Sequence, residues 1–486
     1  MMPLKDKLIT ARGPVPTAPQ PQLTRAGLPV GTAVVGISRD VLLGLLAAAR
    51  AVAARPAALA ALTVLLVCVP VGNRDVSVSV HITPADLGSA ALVVAVVARV
   101  LAGDRLPRTG LWVAVAAAVL GFGLATLTSR DPVTSGSGFV RYLQLFVIVP
   151  VAVVLALRER RDLRLICAAL LAAATEEGII GTWQYLTGTG ASFAGHNIRA
   201  VGTFGALDVM GMSTVVGYGI VVAVGLGLTL RGRARLGLLA LAALLVVPLL
   251  LSLSRGAVVA TAGAVIVMLL AVGPRRALRI VVFAGAAMAV LVGPLNTATS
   301  PLRARFATIG TSLSAPDRSV SDRYELWQTA TAMWRDHPLT GLGLKEFGAY
   351  RDWYAPLHLS SGSDVADPGL SFRHEPLLSP HNMYLLVLSE QGLVGALALG
   401  GLLLGLVAMT WRRTRQAAGP TGPPDGRLPD GRLISVAVLG AVAWILLDFL
   451  FSDIGGQATV LMSVLIGLAL WWAAQPRLGP NREAAR

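Results

Sequence analysis

The sequence is dominated by long apolar runs, each ending at a short polar connection. A transmembrane α-helix needs about 20 consecutive, predominantly apolar residues. Hydrophobic residues make up 55% of the 486 positions, charged residues only 14%, and the mean hydropathy is +0.69. Soluble domains carry about 25% charged residues. The pattern therefore predicts an all-α integral membrane protein. The runs fall near 57–72, 85–103, 110–128, 139–157, 164–187, 208–230, 235–251, 255–273, 278–294, 382–411, 432–452 and 456–475.

Arginines cluster in every second connection. The positive-inside rule places such connections in the cytoplasm, and here it places both termini there as well. The alternation holds along the whole series, which predicts about twelve transmembrane helices in the cytoplasmic (inner) membrane. A net charge of +15 could also indicate nucleic-acid binding, but arginine clusters between apolar runs are typical of membrane topology, so we expect no nucleic-acid partner. The basic residues of these connections are Arg50, Arg55, Arg105, Arg108, Arg158, Arg160, Arg161, Arg164, Arg231, Arg233, Arg235, Arg275, Arg276, Arg279, Arg412, Arg413, Arg415, Arg477 and Arg482.

This pattern divides the chain into five segments. Residues 1–38 are polar and proline-rich and predict a disordered cytoplasmic tail without a signal peptide. Residues 39–294 predict a bundle of about nine transmembrane helices. Residues 295–380 predict a large extracytoplasmic loop with amphipathic helices, since a connection of this length normally has its own structure and a function. Residues 381–475 predict helices 10–12, and 476–486 a second cytoplasmic tail.

One helix of the large loop is marked by its capping pattern. Asp322 is followed three positions later by Glu325, which predicts a helix start, and Pro338 requires the helix to end before it. Arg323 and Trp327 lie one turn apart on one stripe. Large aromatic side chains favour the membrane–water boundary. We therefore expect this helix to lie over the bundle with the Arg323 face inward.

Two further arginines lie in connections assigned to the outer side. Arg255 occupies the tight turn 252–255 between two apolar runs, and Arg199 lies in the longer connection 188–207. Short outer loops normally avoid arginine. An interfacial arginine can simply extend its guanidinium to lipid phosphates. The alternative, which we favour for Arg255, is an anion site at the membrane surface.

His381 precedes the tenth apolar run. Ser379 as N-cap and Pro380 at the first helical position predict a helix start that places His381 in the first turn. The helix dipole there disfavours a cationic imidazole and favours a bound anion. A neutral histidine can accept a proton or donate a hydrogen bond, although a polar residue at the interface would satisfy the same pattern.

Carboxylates also lie within the apolar runs. Glu176 and Glu177 lie inside the fifth run, and Asp448 near the outer end of the eleventh. Ionisable residues in transmembrane segments are candidates for function. A proton relay, acceptor binding and a salt bridge to an arginine of the bundle all remain open. The sequence contains no DxD pair, P-loop or HExxH motif, so we expect no metal and no cofactor.

Taken in order, five short motifs resemble those of the O-antigen ligase and polymerase superfamily, membrane glycosyltransferases that use polyprenyl-pyrophosphate-linked glycans. The resemblance covers roughly residues 250–400. The loop 202–205 (GTFG) is also similar to the family, but 206–208 (ALD) replaces the polar, asparagine-containing stretch often found there. The five motifs are 252–256 (SLSRG), 321–327 (SDRYELW), 338–343 (PLTGLG), 380–382 (PHN) and 388–395 (LSEQGLVG).

The resemblance implies a GT-C-like membrane fold and a metal-independent, inverting transfer of a glycan. The donor would be glycan linked to undecaprenyl pyrophosphate, the acceptor a hydroxyl group of a glycan or lipid, and the site would face outward with the isoprenoid tail among the membrane lipid. Arg255 and Arg323 would bind the pyrophosphate, with Arg199 as a possible helper, and His381 would orient or deprotonate the acceptor. The supporting residues would be Asn382, Trp327 and Glu177.

Several alternatives remain open from the sequence. A polymerase that extends a chain, or an enzyme that glycosylates proteins, would carry the same motifs as a ligase that hands on a finished glycan. A polytopic transporter or flippase would also fit the number of runs and the intramembrane Glu176 and Glu177. Transporters commonly show two related halves, whereas this chain shows nine runs, one large loop and then three runs, which favours the enzyme.

Overall fold

Helices form the bulk of the protein, which we describe from a computed structural model. All the residues described fall within one compact unit, Arg50–Arg486. They are 55–71, 82–104, 111–193, 196–230, 232–273, 318–368, 370–416 and 430–474.

The first nine helices match the order of the apolar runs closely, with the run near 139–157 built from two helices. A π-helical turn, Gln144–Ile148, joins α4 to α5 without a break in direction. A small antiparallel hairpin, β1 (Ala191–Phe193) and β2 (His196–Arg199), follows α6. The helices are α1 (Pro56–Leu66), α2 (Pro84–Leu101), α3 (Leu111–Leu127), α4 (Pro132–Leu143), α5 (Val149–Ala156), α6 (Arg160–Thr187), α7 (Gly211–Thr229), α8 (Gly232–Leu251) and α9 (Arg255–Val272).

The second half of the chain contains two helices outside the apolar runs, a second hairpin and three long apolar helices. The hairpin pairs β3 (Gly362–Asp367) with β4 (Leu370–Pro376) in antiparallel register. The helices are α10 (Arg318–Asp336), α11 (Phe347–Tyr354), α12 (Met383–Gln416), α13 (Asp430–Asp448) and α14 (Ala458–Ala474).

Six of the described helices are long and apolar enough to cross a membrane, and four more apolar helices are shorter. The chain is thus a helical membrane protein, as predicted. The ninth predicted run, 278–294, and both predicted tails lie outside the described residues, so the count of twelve stays a prediction. The six are Pro84–Leu101, Pro132–Ala156, Gly211–Leu228, Gly232–Leu251, Arg255–Val272 and Met383–Arg415, and the shorter four are Pro56–Leu66, Trp112–Leu127, Ile434–Asp448 and Ala458–Ala474.

The centre of the bundle is built around α7 and α14. In α7, 89% of the apolar window is buried inside the protein, and α14 is buried from Ala458 to Trp472 along nearly its whole length. Some polar groups of the bundle are paired between helices. The indole of Trp444 donates to the Thr261 hydroxyl at 2.9 Å, and Arg141 contacts the Asp86 carboxylate at 2.6 Å. An unpaired polar group in the bilayer interior would cost on the order of several kcal/mol.

The segment 318–380 corrects two of the predictions. The loop was expected to contain amphipathic helices, and the hairpin β3–β4 was missed, although the sequence DPG at 367–369 is a typical turn signal. The helix predicted to begin at Asp322 begins earlier: α10 includes Arg318, so Asp322 lies inside it. An acidic residue followed three positions later by glutamate also occurs in helix interiors, where it carries no capping signal. The predicted end before Pro338 is confirmed, because α10 ends at Asp336.

A break in α12 joins this segment to the bundle. Gly392 has φ +59° and ψ −156°, a conformation open essentially to glycine alone. The loop 338–343 lies against this break and makes four main-chain hydrogen bonds to it. The amides of Leu342 and Gly343 donate to α12, and the amides of Leu393 and Val394 donate back to the loop, over 2.8 to 3.0 Å. The PLTGLG and LSEQGLVG motifs therefore form one paired structure.

Candidate functional site

Several of the predicted site residues contact residues 449–453, the first part of the connection between α13 and α14, which we call the 449–453 corner. Arg323 of α10 donates from Nη1 to the carbonyl oxygen of Phe451 at 3.0 Å. The Asn382 side-chain amide donates to the carbonyl oxygen of Leu450 at 3.2 Å. The first amide of α12 donates to the carbonyl oxygens of Phe449 at 2.9 Å and Ser452 at 3.0 Å. Helices far apart in the sequence thus converge here.

The start of α9, with Arg255, reaches the same corner. Gly256 packs so tightly against Phe451 that a Cβ atom at position 256 would lie 2.6 Å from the Phe451 Cβ. Ser254 caps the helix by accepting from the Ala257 amide. Arg255 is the first residue of α9 and is half-buried. The close approach of Gly256 therefore brings the start of α9, whose first residue is Arg255, next to Phe451.

Arg199 lies against the turn that precedes Arg255. Its Nε donates to the carbonyl oxygen of Ser252 at 3.0 Å, and the next amide, Ala200, donates to the Leu251 carbonyl oxygen at 3.1 Å. Arg199 thus belongs to the same neighbourhood through the 252–255 turn. The structure brings the three predicted arginines around two adjoining turns, and each one is half-buried.

His381 does not lie in the first turn of a helix, and this prediction is wrong. Helix α12 begins at Met383, and Asn382 is its cap, with Oδ1 accepting from the Leu385 amide at 3.1 Å. His381 has φ +47°, a conformation that few non-glycine residues adopt. Its amide donates to the Ser379 hydroxyl at 3.0 Å. The capping signal of Ser379 was real, but it closes a turn ahead of the helix.

The surroundings of His381 favour a neutral imidazole. Burial lowers the pKa of His381 below its ordinary value of 6.5, and the Arg323 guanidinium lowers that pKa further. The Asp453 carboxylate opposes both by raising the His381 pKa. The same carboxylate accepts a hydrogen bond from Ser379. At neutral pH the imidazole is therefore uncharged and can accept a proton.

Trp327 and Asn382 support the loop that carries His381. The Trp327 indole donates from Nε1 to the carbonyl oxygen of Pro380 at 3.0 Å. Trp327 lies one turn after Arg323 on α10, so a single helix face holds both the guanidinium and the histidine loop. Asn382 fixes the other end of that loop through its contacts with Leu385 and Leu450.

Glu177 holds the loop that follows Arg199. Its carboxylate is fully buried and accepts from the Thr203 hydroxyl at 2.5 Å and the Thr203 amide at 3.1 Å. Gln184, two turns further along α6, holds the amides of Val201 and Gly202 through Oε1. This geometry supports a role for Glu177 other than the three left open by the sequence, namely to anchor the GTFG loop.

Glu176 points away from that loop. It is exposed on a largely apolar face of α6. The other residues of this face are Leu171, Ala172, Thr175, Ile179 and Ile180. Consecutive residues of a helix lie about 100° apart around its axis, so Glu176 and Glu177 occupy different faces.

The sequence did not point to the 449–453 corner. Asp448 had been noted as an intramembrane carboxylate, and it accepts a hydrogen bond from the Ser452 hydroxyl. Asp453, which acts on His381, was missed. The available signal was a charged residue in a short connection between the last two apolar runs. Among the described residues, no group of three His, Cys, Asp or Glu side chains could hold a metal ion.

These features define a class: a helical membrane protein with a cluster of arginines and a neutral histidine around one junction of helix ends. A family model described as O-antigen ligase matches residues 238–400. The resemblance of this part of the chain to the O-antigen ligase superfamily is therefore confirmed. The match includes Arg255, Arg323 and His381, whereas Arg199 and the 449–453 corner lie outside it. A search of curated proteins finds no match to the chain.

Proposed function

We propose that the protein is a membrane glycosyltransferase of the O-antigen ligase type, which transfers a glycan from undecaprenyl pyrophosphate to an acceptor hydroxyl on the outer face of the cytoplasmic membrane. One observation carries the proposal. Arg323 and the helix start that carries Arg255 reach the same residue, Phe451, through the Arg323 guanidinium and through Gly256, beside a histidine kept neutral.

The arginines suit the pyrophosphate. A guanidinium group binds phosphate oxygens through two parallel hydrogen bonds and keeps its charge at any relevant pH. Negative charge grows on the leaving oxygen as the glycosidic bond breaks, and donors already in place there are worth about 3–4 kcal/mol each in other enzymes. Arg255 opens helix α9, so the positive end of that helix dipole would act in the same direction. Arg199 would assist through the Ser252 turn.

His381 would act as the general base. The acceptor hydroxyl oxygen attacks the anomeric carbon of the donor sugar and forms the new C–O bond. The bond between that carbon and the pyrophosphate oxygen breaks, and its electron pair leaves with the pyrophosphate. The hydroxyl proton passes to the imidazole of His381. Attack opposite the leaving group inverts the anomeric centre. The arginines would stabilise the negative charge on the leaving group, so the step requires no metal.

Removal of the charge or the base tests the site. Arg255→Ala and His381→Ala should each lower glycan transfer by at least about a hundredfold, the loss typical of a transition-state donor. The assay uses purified protein in detergent with lipid-linked glycan extracted from cells of the source organism. The matched controls, Arg233→Ala and His196→Ala, change exposed residues and should transfer normally. Near-normal transfer by both site variants, at equal protein levels, would refute the assignment.

Membrane orientation has its own test. Cysteines introduced at positions 255 and 381 should react with a membrane-impermeant maleimide added to intact cells. The native Cys68 is buried and Cys167 is largely covered, so background labelling should be small. Labelling of both positions only after cell lysis would place the site on the opposite side of the membrane and overturn the proposed topology.

The lipid-linked intermediates of a deletion strain separate the alternatives. A ligase predicts that full-length glycan accumulates on the carrier lipid, and a polymerase predicts single repeat units. A transporter or flippase predicts that purified protein forms no new glycosidic bond. Formation of the bond by the pure protein would exclude that third class.

A further inference from the structure

A patch of aromatic and charged side chains lies where α10, α11 and the start of α4 meet. The Arg130 guanidinium lies 5.5 Å from the centre of the Tyr350 ring, and one of its nitrogens is 3.1 Å from the His337 imidazole. The Tyr354 hydroxyl donates to the Asp336 carboxylate at 2.9 Å. We call these five residues the Arg130 patch.

The patch is held in place but remains open to solvent. The Arg130 amide donates to the carbonyl oxygen of Leu342 at 3.3 Å, which ties the patch to the 338–343 loop. Tyr350 and Tyr354 are one turn apart on α11, so they share a face. Arg130 and Asp336 are exposed, the remaining members are half-buried, and the neighbouring Trp353 is 84% exposed.

The chemistry of the patch matches a carbohydrate better than a lipid or a protein core. A pyranose ring has apolar C–H faces, which pack on aromatic rings, and a rim of hydroxyl groups that both donate and accept hydrogen bonds. The patch offers rings beside a cation, an anion, an imidazole and phenol hydroxyls. Hydrogen bonds between neutral hydroxyls and charged side chains are stronger than those between neutral groups. A surface that faces the hydrocarbon core of the membrane would instead present apolar side chains without an exposed carboxylate.

The patch lies along the helix that carries Arg323. Asp336 follows Arg323 by thirteen residues on α10, so the two are about 20 Å apart along the helix axis and about 140° apart around it, at about 1.5 Å and 100° per residue. A glycan of several sugars whose first sugar is attached to a pyrophosphate at Arg323 would reach the patch if it passed both along and around the helix.

We propose that the Arg130 patch binds the donor glycan several sugars away from the pyrophosphate. This inference rests on the proposed function, because it takes the pyrophosphate to be bound at Arg323. The patch would anchor long donor chains and would leave a donor with one sugar unaffected. Arg130, Tyr354 and their partners are then binding residues rather than catalytic ones.

Binding of free oligosaccharides tests the patch without catalysis. The probes are fragments released by mild acid from the lipid-linked glycan of the source organism and sorted by size, titrated into the full-length protein in lipid nanodiscs. Fragments of several sugars should bind, whereas monosaccharides should not. Arg130→Ala and Tyr354→Phe should each weaken binding by about tenfold, the loss expected for a hydrogen bond that involves a charged group. The controls Arg335→Ala, on another face of α10, and Tyr185→Phe, on α6, should bind as the wild type does.

Each outcome bears on the inference. Unchanged binding in both patch variants would overturn it, as would binding of acceptor-derived fragments in place of donor fragments. Quenching of tryptophan fluorescence by brominated lipid that is lost in Trp353→Phe, with no response to oligosaccharide, would make the patch a membrane surface and would also overturn the inference. Fragment binding that persists in His381→Ala supports a site separate from the chemistry. Binding by a wild-type protein that transfers no glycan would sink the proposed function and leave the glycan site standing.

Discussion

Arg323 donates a hydrogen bond at 3.0 Å to the main-chain oxygen of Phe451, a residue 128 positions further along the chain. The contact joins the helix of the long connection to the turn between the last two apolar helices. The carbonyl uses part of the donor capacity of the guanidinium and fixes its direction, and a guanidinium has five N–H groups in all. Under the proposed function, Arg323 is thus oriented before the pyrophosphate binds, and preorganised donors are the ones that contribute most to catalysis.

Trp327→Phe should slow transfer without unfolding the protein. The substitution keeps an aromatic ring and removes the hydrogen bond from the indole to the Pro380 carbonyl, which is worth about 0.5–1.5 kcal/mol. The loop with His381 loses this support, so kcat should fall about threefold to tenfold with little change in KM for the donor. Trp183→Phe, at an exposed position of α6, is the matched control. Equal effects of the two substitutions on kcat would argue against a positioning role.

Asp453→Asn should shift the acid limb of the pH–rate profile to lower pH. The wild-type limb should lie below 6.5, because burial and Arg323 lower the pKa of His381 and the base must be neutral to work. Removing the Asp453 carboxylate takes away the one influence that raises this pKa, so protonation then requires more acid. Asparagine can still accept from Ser379, which keeps the loop contact. A limb that moved to higher pH would contradict the assigned sign, and an unchanged limb would show that His381 is not the titrating base.

Glu177→Gln should retain most activity, whereas Glu177→Ala should lose stability. Glutamine keeps an oxygen for the Thr203 amide and an amide group for its hydroxyl. Alanine leaves the buried donors of Thr203 unsatisfied, which should lower the free energy of unfolding by about 1–3 kcal/mol for each such group. Thermal unfolding in detergent and transfer rates measure the two effects. A folded but inactive Glu177→Gln protein would point to a chemical role for the carboxyl group and against simple anchoring of the GTFG loop.

Gly392→Ala should destabilise the protein strongly. Position 392 has a glycine-only backbone conformation, and a Cβ there would lie 2.4 Å from the Leu339 carbonyl carbon. Backbone strain of this kind costs about 1–3 kcal/mol before the clash is counted. Gly400→Ala in the same helix has open space at its Cβ and should be neutral or stabilising by up to about 1 kcal/mol. Similar melting temperatures for the two variants would show that the break in α12 is not needed.

Much of the architecture could be predicted from local patterns. Runs of apolar residues predicted the helices. Arg199, Arg255 and Arg323 stood out as candidate site residues because they lie in connections assigned to the outer side, where arginine is uncommon. The exact position of His381 could not be predicted, because the capping pattern of Ser379 and Pro380 fits both a helix start and the turn before one. Only the contacts of Asn382 with Leu385 and Leu450 distinguish the two.

The contacts that join distant parts of the chain were beyond the sequence. The 449–453 corner contributes mainly main-chain carbonyl groups, which every residue has, so no residue type identifies it. Glu177 was noticed because it is charged, but its partner Thr203 is a small polar residue of a loop and gave no signal. The β3–β4 hairpin has a turn signal at 367–369, but a turn signal alone does not show that the flanking residues form strands.

The pairing between the 338–343 loop and the interrupted helix α12 also limits how this part of the protein can move. Four main-chain hydrogen bonds join the two, so separating them would break all four together, at about 1 kcal/mol each. We therefore expect the loop and the residues around Gly392 to move as one body. Under the proposed function, a lipid-linked donor would then enter from the side, between helices, without separating these two segments.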